Sequence, residues 1–259
     1  MFVAGVDIGS TSSNAVILNA NKLIAYSVVP TGADSVNSAQ RAMDAALKGT
    51  EINQKDLGYI ISTGYGRIIV PFANEVITEI ACHAKGAHWC FESVRTILDM
   101  GGQDCKAIRC DENGHHVNFI MNDKCAAGTG RFMEVMANTL RLPLEDIGPL
   151  SLEAKEVVPV SSVCAVFAKS EVSRLVRKKI DKRDILAGLH EAVATRVYSL
   201  LKKVGIEKDF VITGGIAKNI GVVKRLEEKM GIKALLPEEP QIVGALGAAL
   251  FAREKVENL

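Results

Sequence analysis

The sequence predicts an α/β protein made of two similar lobes, each with the element order βββαβα. The chain has 259 residues, which is more than the roughly 250 residues at which a single hydrophobic core stops growing. Short apolar segments typical of strands alternate with longer segments of helical periodicity. In addition, Val6 to Ser10 is similar to Leu98 to Gly102, 92 residues later, and each closes an apolar strand and opens a tight turn.

The first half begins with three segments rich in Val, Ile and Leu, and the Gly, Ser and Asn residues between them predict an antiparallel meander. A helical segment, a short strand and a second helical segment follow. The predicted strands are Phe2 to Gly9, Asn14 to Asn19, Leu23 to Pro30 and Tyr59 to Thr63, and the predicted helices are Asp34 to Lys48 and Asn74 to Cys90.

The second half restarts this pattern at Thr96 and has an Asn113-Gly114 turn between two of its strands. The predicted strands are Thr96 to Met100, Cys105 to Cys110, His115 to Asn122, Phe210 to Thr213 and Ile232 to Leu236. The predicted helices are Thr129 to Arg141, Ala165 to Lys179, Lys182 to Val204, Asn219 to Met230 and Val243 to Lys255.

No low-complexity linker separates the two halves, so we expect the lobes to pack together with a ligand-binding cleft between them. Lobe I is expected to span residues 1–95 and to be completed by the C-terminal helix 243–259. Lobe II is expected to span residues 96–242. Each lobe then contributes a glycine-containing loop to the cleft.

Composition and charge exclude several classes of function. Hydrophobic residues make up 48% and charged residues 24% of the chain, which is typical of a globular protein rather than of a disordered or fibrous one. The formal net charge is +1, so no global field is available to bind nucleic acid or an anionic membrane. The longest nearly apolar stretch, Val157 to Ala168, has 12 residues and is too short to span a bilayer. The absence of a basic segment at the N-terminus predicts a cytoplasmic protein.

The first loop, between two predicted strands, has the residues of a phosphate-binding turn. Gly9 allows the backbone to approach a ligand closely. Asp7, at the end of a strand, is a candidate for positioning Mg²⁺ through water, because hard cations prefer oxygen ligands. An ordinary hairpin remains the alternative, since these are also common turn residues. The hydroxyl and amide donors of the loop are Ser10, Thr11, Ser12, Ser13 and Asn14.

The second loop repeats this geometry from the other half of the chain. Asp99, the second candidate for positioning Mg²⁺, is followed by Gly101 and Gly102. Gln103 and Asp104 have side chains that can orient a water molecule against a γ-phosphate. The two loops are therefore predicted to face each other across the cleft.

A third motif supplies a place for an adenine base. Gly214 and Gly215 end a buried strand, and Ile216 to Asn219 lead into a helix, so that a flat base can lie against the backbone. The Walker A and G-x-G-x-x-G patterns are both absent from the sequence, which excludes P-loop and Rossmann nucleotide sites.

The six cysteines do not have the pattern of a disulfide framework, which belongs to short secreted domains. No pair has the CxxC spacing of a zinc ribbon. Cys125 and Cys164 each precede a predicted helix, where free backbone N–H groups and the positive end of the helix dipole stabilise a thiolate. Burial among apolar residues is the alternative for both. It is the expectation for the remaining four, which are Cys82, Cys90, Cys105 and Cys110.

Three motifs in this order resemble those of the actin, hexokinase and sugar-kinase superfamily: Asp-x-Gly-Ser-Thr from Asp7, Asp-x-Gly-Gly-Gln-Asp from Asp99 and Thr-Gly-Gly from Thr213. The resemblance covers nearly the whole chain and implies a two-lobed, actin-like ATPase fold with ribonuclease-H-like lobes. The segments Met121 to Phe132 and Ser161 to Glu171 are more specific. They resemble segments of the ATP-dependent activators of 2-hydroxyacyl-CoA dehydratases.

This resemblance implies an ATP-hydrolysing electron donor whose cofactors are ATP, Mg²⁺ and one [4Fe-4S] cluster per homodimer. Cys125 and Cys164 of each chain would hold the cluster, because a cubane normally takes four thiolates and a two-fold axis supplies them from two chains. Ferredoxin or flavodoxin is the implied electron donor. The implied acceptor is a two-subunit iron–sulfur enzyme, either a 2-hydroxyacyl-CoA dehydratase, a benzoyl-CoA reductase or a related double-cubane-cluster reductase.

One position departs from the activator pattern. Related activators commonly carry a basic residue after the serines of the first loop, where this chain has Asn14. An amide supplies no charge, so the affinity for nucleotide is expected to differ from that of the family. Lys106 is a candidate replacement for the missing charge.

Three other functions remain open at this stage. The same nucleotide core can serve a small-molecule kinase. It can also serve an actin-like scaffold that switches with ATP and in which the cysteines are bystanders. Finally, two cysteines from each of two chains can bind zinc in a tetrahedral site instead of an iron–sulfur cluster.

Overall fold

The computed structural model describes residues 1–122, 126–161 and 164–258. The described strands form two five-stranded sheets. They are β1 (Phe2–Ile8), β2 (Ser12–Asn19), β3 (Lys22–Pro30), β4 (Leu57–Thr63), β5 (Glu75–Val76), β6 (Thr96–Met100), β7 (Cys105–Cys110), β8 (His116–Asn122), β9 (Phe210–Thr213) and β10 (Ala234–Leu235). The helices are α1 (Ser35–Leu47), α2 (Glu79–Cys90), α3 (Gly130–Leu140), α4 (Ile147–Leu152), α5 (Ala165–Arg177), α6 (Lys182–Val204), α7 (Ile220–Met230) and α8 (Val243–Glu257).

The two sheets have the same strand order. The first runs β3-β2-β1-β4-β5, and the second runs β8-β7-β6-β9-β10. In each sheet the central strand pairs antiparallel with the strand that follows it and parallel with a strand that returns after a helical connection. The similarity between the two loops is therefore part of a repeat that extends over both sheets.

Helices cover both faces of each sheet, and α2 packs on the face of the second sheet that is opposite its largest core. Helix α1 packs on the first sheet through Met43, which is fully buried, and α8 packs on its opposite face through Leu246 and Leu250. The largest core joins the second sheet to helices α3, α5, α6 and α7. Apolar faces are thus buried in layers, as in other α/β proteins.

Helix α2 lies between the two sheets. It contacts α8 and also β6, β7 and β8 of the second sheet. Glycines make the contact with α8 possible, because a Cβ atom on Gly86 would overlap the carbonyl of Val243 and one on Gly247 would overlap the carbonyl of Cys82. Residues from the first half of the chain therefore reach the second sheet.

The predicted elements are present, with shifts of one or two residues at several ends and three larger differences. The helix predicted from Asn74 begins at Glu79, because Glu75 and Val76 pair with β4 as a short strand and Thr78 caps the helix. Helix α4 was not predicted, since six residues are too few for a periodic pattern. The strand predicted over Ile232 to Leu236 contains only Ala234–Leu235. Among the described residues, no helix combines the length and apolar character needed to cross a membrane.

Candidate nucleotide-binding site

A cleft of about 580 Å³ lies between the two sheets and brings together the three motifs. The strand ends β1, β6 and β9 deliver one motif each to this cleft. The predicted site residues that line it are Asp7, Gly9, Ser10, Thr11, Ser12, Asn14, Asp99, Gly101, Gly102, Gln103, Asp104, Gly214, Gly215, Ile216 and Asn219. Residues that are up to 212 positions apart in the sequence thus share one surface.

The two glycine loops are closed by the same backbone hydrogen bond. The amide of Gly9 donates to the carbonyl of Ser12 at 3.0 Å, and the amide of Gly101 donates to the carbonyl of Asp104 at 3.1 Å. The loops also touch, because a Cβ atom on Gly102 would overlap the side chain of Thr11. The backbones of both loops are therefore close enough to bind one phosphate chain together.

Ser13 is the one donor of the first loop that lies away from the cleft. Its hydroxyl is fully buried and lies 2.9 Å from the hydroxyl oxygen of Thr31. Neighbouring residues of a strand point to opposite faces of the sheet, so Ser12 and Asn14 face the cleft while Ser13 faces the other side.

Asp99 belongs to a buried network of charges in the second lobe. The ammonium of Lys106 lies 3.4 Å from the Asp99 carboxylate, and the hydroxyl of Thr213 donates to the same group at 3.0 Å. His83 contributes an Nε2 atom 3.5 Å away. Burial alone would raise the pKa of Asp99, but the charges of His83 and Lys106 and the hydrogen bond from Thr213 outweigh it and hold the pKa below its usual value.

Lys106 is only 2% exposed and is surrounded by carboxylates. Its ammonium lies 2.7 Å from Asp104 and 3.6 Å from Glu79, in addition to its contact with Asp99. Burial alone would lower the pKa of Lys106, but these three carboxylates raise it well above its usual value. Lys106 is therefore a charged group that orients the acidic residues of the second loop.

Asp7 occupies the equivalent place in the first lobe but has different surroundings. Burial raises its pKa to about 6, although the charge of His83 opposes this effect. The carboxyl group is closely surrounded by backbone, since a Cβ atom on either Gly64 or Gly244 would overlap one of its oxygens. Glycine is needed at Gly64 for a second reason, because its φ is +86°.

The third motif is held by a buried histidine. Asn219 caps α7 by accepting hydrogen bonds from Gly221 and Val222, and its amide oxygen lies 3.0 Å from Nε2 of His190. Burial lowers the pKa of His190 to about 4. Gly214 has a φ of +79° and lies directly against the carbonyl of Met100, so glycine is required at this position of the motif.

Several residues that line the cleft were not recognised in the sequence. His83 belongs to no motif in the sequence, but it contacts Asp99 and lines the cleft together with Glu79. These two residues are four positions apart on α2 and therefore lie on one face of that helix. This spacing indicates from the sequence that the two side chains lie on one face of a helix. Only the position of α2 between the sheets shows that this face lines the cleft. Tyr65 and Gln241 also line the cleft.

The two cysteines singled out in the sequence lie outside this cleft or outside the described residues. Cys164 is a half-buried free thiol at the N-cap of α5. Cys125 lies outside the described residues. Within the described part of the chain, no three His, Cys, Asp or Glu side chains are close enough together to hold a metal ion. The other four cysteines are free thiols, three of them buried, on α2 and β7.

Sequence comparison places these features among proteins of known activity. The chain is 45% identical over 259 residues to an activator of lactoyl-CoA dehydratase from Anaerotignum propionicum, and the match covers 100% of both proteins. Two solved structures have a TM-score of 0.95 to it. One is component A of the (R)-2-hydroxyglutaryl-CoA dehydratase of Acidaminococcus fermentans, which is 42% identical with 99% of each chain covered. The other is the activator of the 2-hydroxyisocaproyl-CoA dehydratase of Clostridium difficile with bound ADPNP, which is 39% identical with 100% and 96% covered.

A more distant structure bears on the fold alone. A ROK family glucokinase from Streptomyces griseus, 13% identical, has a TM-score of 0.60 with 98% and 100% of the chains covered. Together with the closer structures it confirms the predicted actin-like ATPase and sugar-kinase fold. The sequence profile of the BadF/BadG/BcrA/BcrD ATPase family matches residues 4–252, and the chain belongs to this family of ATPases.

Proposed function

We propose that this ATPase is an iron–sulfur electron donor that activates a partner enzyme. The partner is a two-subunit iron–sulfur enzyme, a 2-hydroxyacyl-CoA dehydratase or a related benzoyl-CoA or double-cubane-cluster reductase. A reduced ferredoxin or flavodoxin of the cytoplasm supplies the electron. The names of the relatives support this class of partner, since two are activators of dehydratases and the third is a component of another dehydratase.

The observation that carries the proposal is the connection between the cleft and Cys164. The first amides of α3 donate to the second phosphate loop, from Gly130 to the carbonyl of Gly101 at 2.9 Å and from Arg131 to the carbonyl of Gly102 at 2.8 Å. Helix α3 packs against α5, which begins directly after Cys164. A movement of the loop on nucleotide binding therefore displaces the helix that carries the thiol.

In the cleft, polar and acidic residues from both lobes have separate roles in ATP hydrolysis. Asp7 and Asp99 position Mg²⁺ through water molecules, and the oxygen chemistry of the two carboxylates fits this ion. Gln103 and Asp104 orient the attacking water, and Lys106 holds Asp104 at 2.7 Å. The lobes that close on the nucleotide are residues 1–95 with the C-terminal helix 243–259, and residues 96–242.

Cys125 and Cys164 of two chains would hold one [4Fe-4S] cluster. When bound, such a cluster stores one electron at low potential. Cys164 fits this role, since it is a free thiol at the N-cap of α5, and the first backbone N–H groups of a helix have no partner within the helix and stabilise a thiolate. The next residues on α5 are apolar and open to solvent, with Val166 70% and Phe167 67% exposed. Such a patch supports a homodimer in which the two α5 helices approach each other.

Iron and acid-labile sulfide should be measured first, on protein purified without oxygen. About four irons and four sulfides per dimer are expected, and both should be lost in Cys125→Ala and Cys164→Ala. Cys90→Ala is the matched control, because Cys90 is a half-buried thiol at the end of α2. Protein that hydrolyses ATP but neither contains nor accepts iron would refute the proposal, and bound zinc would assign the cysteines to a structural site.

The hydrolytic roles have a separate test. Alanine variants of Asp7, Asp99, Gln103 and Asp104 are expected to lose ATPase activity while they retain iron. Full activity in any one of them would remove that residue from the proposed mechanism. Phosphorylation of a sugar or carboxylate by the wild-type protein would instead favour a small-molecule kinase.

A further inference from the structure

The repeat of the two sheets allows the two lobes to be compared position by position. Asn14 lies directly opposite Asp7 in the antiparallel register of β1 and β2. Lys106 lies directly opposite Asp99 in the same register of β6 and β7. Asn14 is therefore the counterpart of Lys106, and each side chain lies beside the buried aspartate of its own lobe, with Cβ atoms roughly 5 Å apart.

The two counterparts differ in charge. In the second lobe the ammonium of Lys106 lies 3.4 Å from Asp99. In the first lobe the corresponding side chain is an amide, and Asp7 has no lysine at the equivalent register.

The amide of Asn14 has a defined orientation. Its Nδ2 atom donates to the carbonyl of Gln241 at 3.1 Å. A carbonyl oxygen can only accept a hydrogen bond, so the NH₂ group must face Gln241 and Oδ1 must face away from it. Asn14 is only 3% exposed, and Oδ1 has no hydrogen-bond partner among the residues that the structure describes.

A buried acceptor in this position needs a donor or a cation. The phosphates of a nucleotide cannot satisfy it, because their oxygens are acceptors as well. The lysines of the cleft are already engaged, Lys106 with three carboxylates and Lys218 with Glu239 at 2.8 Å. The carboxylates that line the cleft are Asp7, Glu79, Asp99, Asp104, Glu134 and Glu145. Among the described residues that line the cleft, His83 is the remaining basic side chain, and it contacts Asp99. The wall of the cleft beside Asn14 therefore carries an excess of negative charge.

We infer that a potassium ion binds at Oδ1 of Asn14, beside Asp7, in the place that the Lys106 ammonium has in the second lobe. Uncharged carbonyl oxygens are the ligands that replace the hydration shell of K⁺, whereas Mg²⁺ prefers carboxylates and retained waters. Phosphate oxygens of the nucleotide complete the shell. Potassium and nucleotide then strengthen each other's binding by the same factor. The inference concerns the ATPase site and does not depend on the iron–sulfur proposal.

The test is the affinity of the full-length protein for ADPNP, measured by calorimetry at fixed Mg²⁺. Potassium chloride replaces choline chloride at constant ionic strength, so that screening stays the same. We expect about tenfold tighter and saturable binding in K⁺, which is the effect of one contact to a charged group. The ATPase rate should rise over the same range of K⁺ concentration.

Variants of Asn14 separate a bound ion from a general salt effect. Asn14→Lys is expected to bind ADPNP equally well in both salts, because its ammonium replaces the ion. Asn14→Ala is expected to bind weakly in both salts. Ser13→Ala is the matched control and should keep the full response to K⁺, since this serine is on the same strand but faces away from the cleft. If Asn14→Lys does not fold, Asn14→Asp should need less K⁺ for half-saturation than the wild type.

Three results would overturn the inference. The first is equal ADPNP affinity of the wild type in choline and potassium salts. The second is a response to K⁺ that persists in Asn14→Ala or that needs the same or more K⁺ in Asn14→Asp. The third is a site that is saturated by additional Mg²⁺ rather than by K⁺, which would make it a second divalent site.

Discussion

Asp7→Asn is expected to stabilise the nucleotide-free protein while it abolishes ATP hydrolysis. Burial raises the pKa of Asp7 from 3.8 to about 6, so the folded protein at neutral pH holds a charge that is more favourable in the unfolded chain. A difference of about 2 pKa units corresponds to about 3 kcal/mol of unfolding free energy. Because the folded state keeps the proton to higher pH, this contribution of Asp7 to stability falls as the pH rises from about 4 to about 6 and then stays constant. An uncharged amide removes the penalty.

The assay is urea unfolding without nucleotide or Mg²⁺ at two pH values. We expect Asp7→Asn to gain about 3 kcal/mol at about pH 7.5 and about half of that at about pH 5, where most of the folded wild-type protein has a protonated Asp7. The control is Asp44→Asn on the exposed side of α1, which should change stability by less than about 0.5 kcal/mol. A variant that is no more stable than the wild type at the higher pH, or that gains equally at both, would refute the reasoning.

Three further substitutions test the surroundings of the cleft. Lys106→Met removes an ammonium from three carboxylates and should lower the unfolding free energy by about 3 to 5 kcal/mol. Lys255→Met removes one partner of an exposed ion pair of 2.8 Å and should change the unfolding free energy little. Equal losses of stability for the two lysine variants in urea unfolding would contradict the role of burial. Gly64→Ala should lose ATPase activity because Gly64 has a φ of +86° and no room for a Cβ atom, whereas Gly49→Ala, at φ +82° with nothing within 4 Å, should keep it. Activity in both would mean that the Gly64 loop is not part of the site. Asn219→Ala removes a helix cap and should lower the unfolding free energy by about 1 kcal/mol. It should also weaken ADPNP binding in calorimetry, and unchanged binding would show that the cap is not part of the nucleotide site.

Much of the fold was predictable because its signals are local. The strands that end in Asp7 and Asp99 are apolar runs bounded by glycine turns, and such runs form strands with little help from distant residues. The boundary of α2 was less predictable. Glu75 and Val76 have no local feature that excludes a helix, and only their pairing with β4 makes them a strand. Tertiary pairing outweighs propensity in so short a segment.

The candidate site was predictable in its backbone loops and less so in its side chains. Gly9 and Gly101 identify the turns, because glycine is required where backbone approaches a ligand. Ser13 has the residue type of a phosphate donor, but the alternation of the strand turns it towards Thr31. His83 has no motif at all in the sequence and joins the site only through the packing of α2 between the sheets.

The sequence by itself determined the residues of the three motifs, their order and the repeat of the two loops, since each of these depends on neighbours within a few positions. The tertiary structure alone decided which charges meet. Lys106 and Asn14 occupy the same register in two repeated sheets. Lys106 neutralises its aspartate, whereas the buried Oδ1 atom of Asn14 has no hydrogen-bond partner in the described part of the chain. Electrostatic interactions depend on distance and burial in space, and neither quantity can be read from separations along the chain.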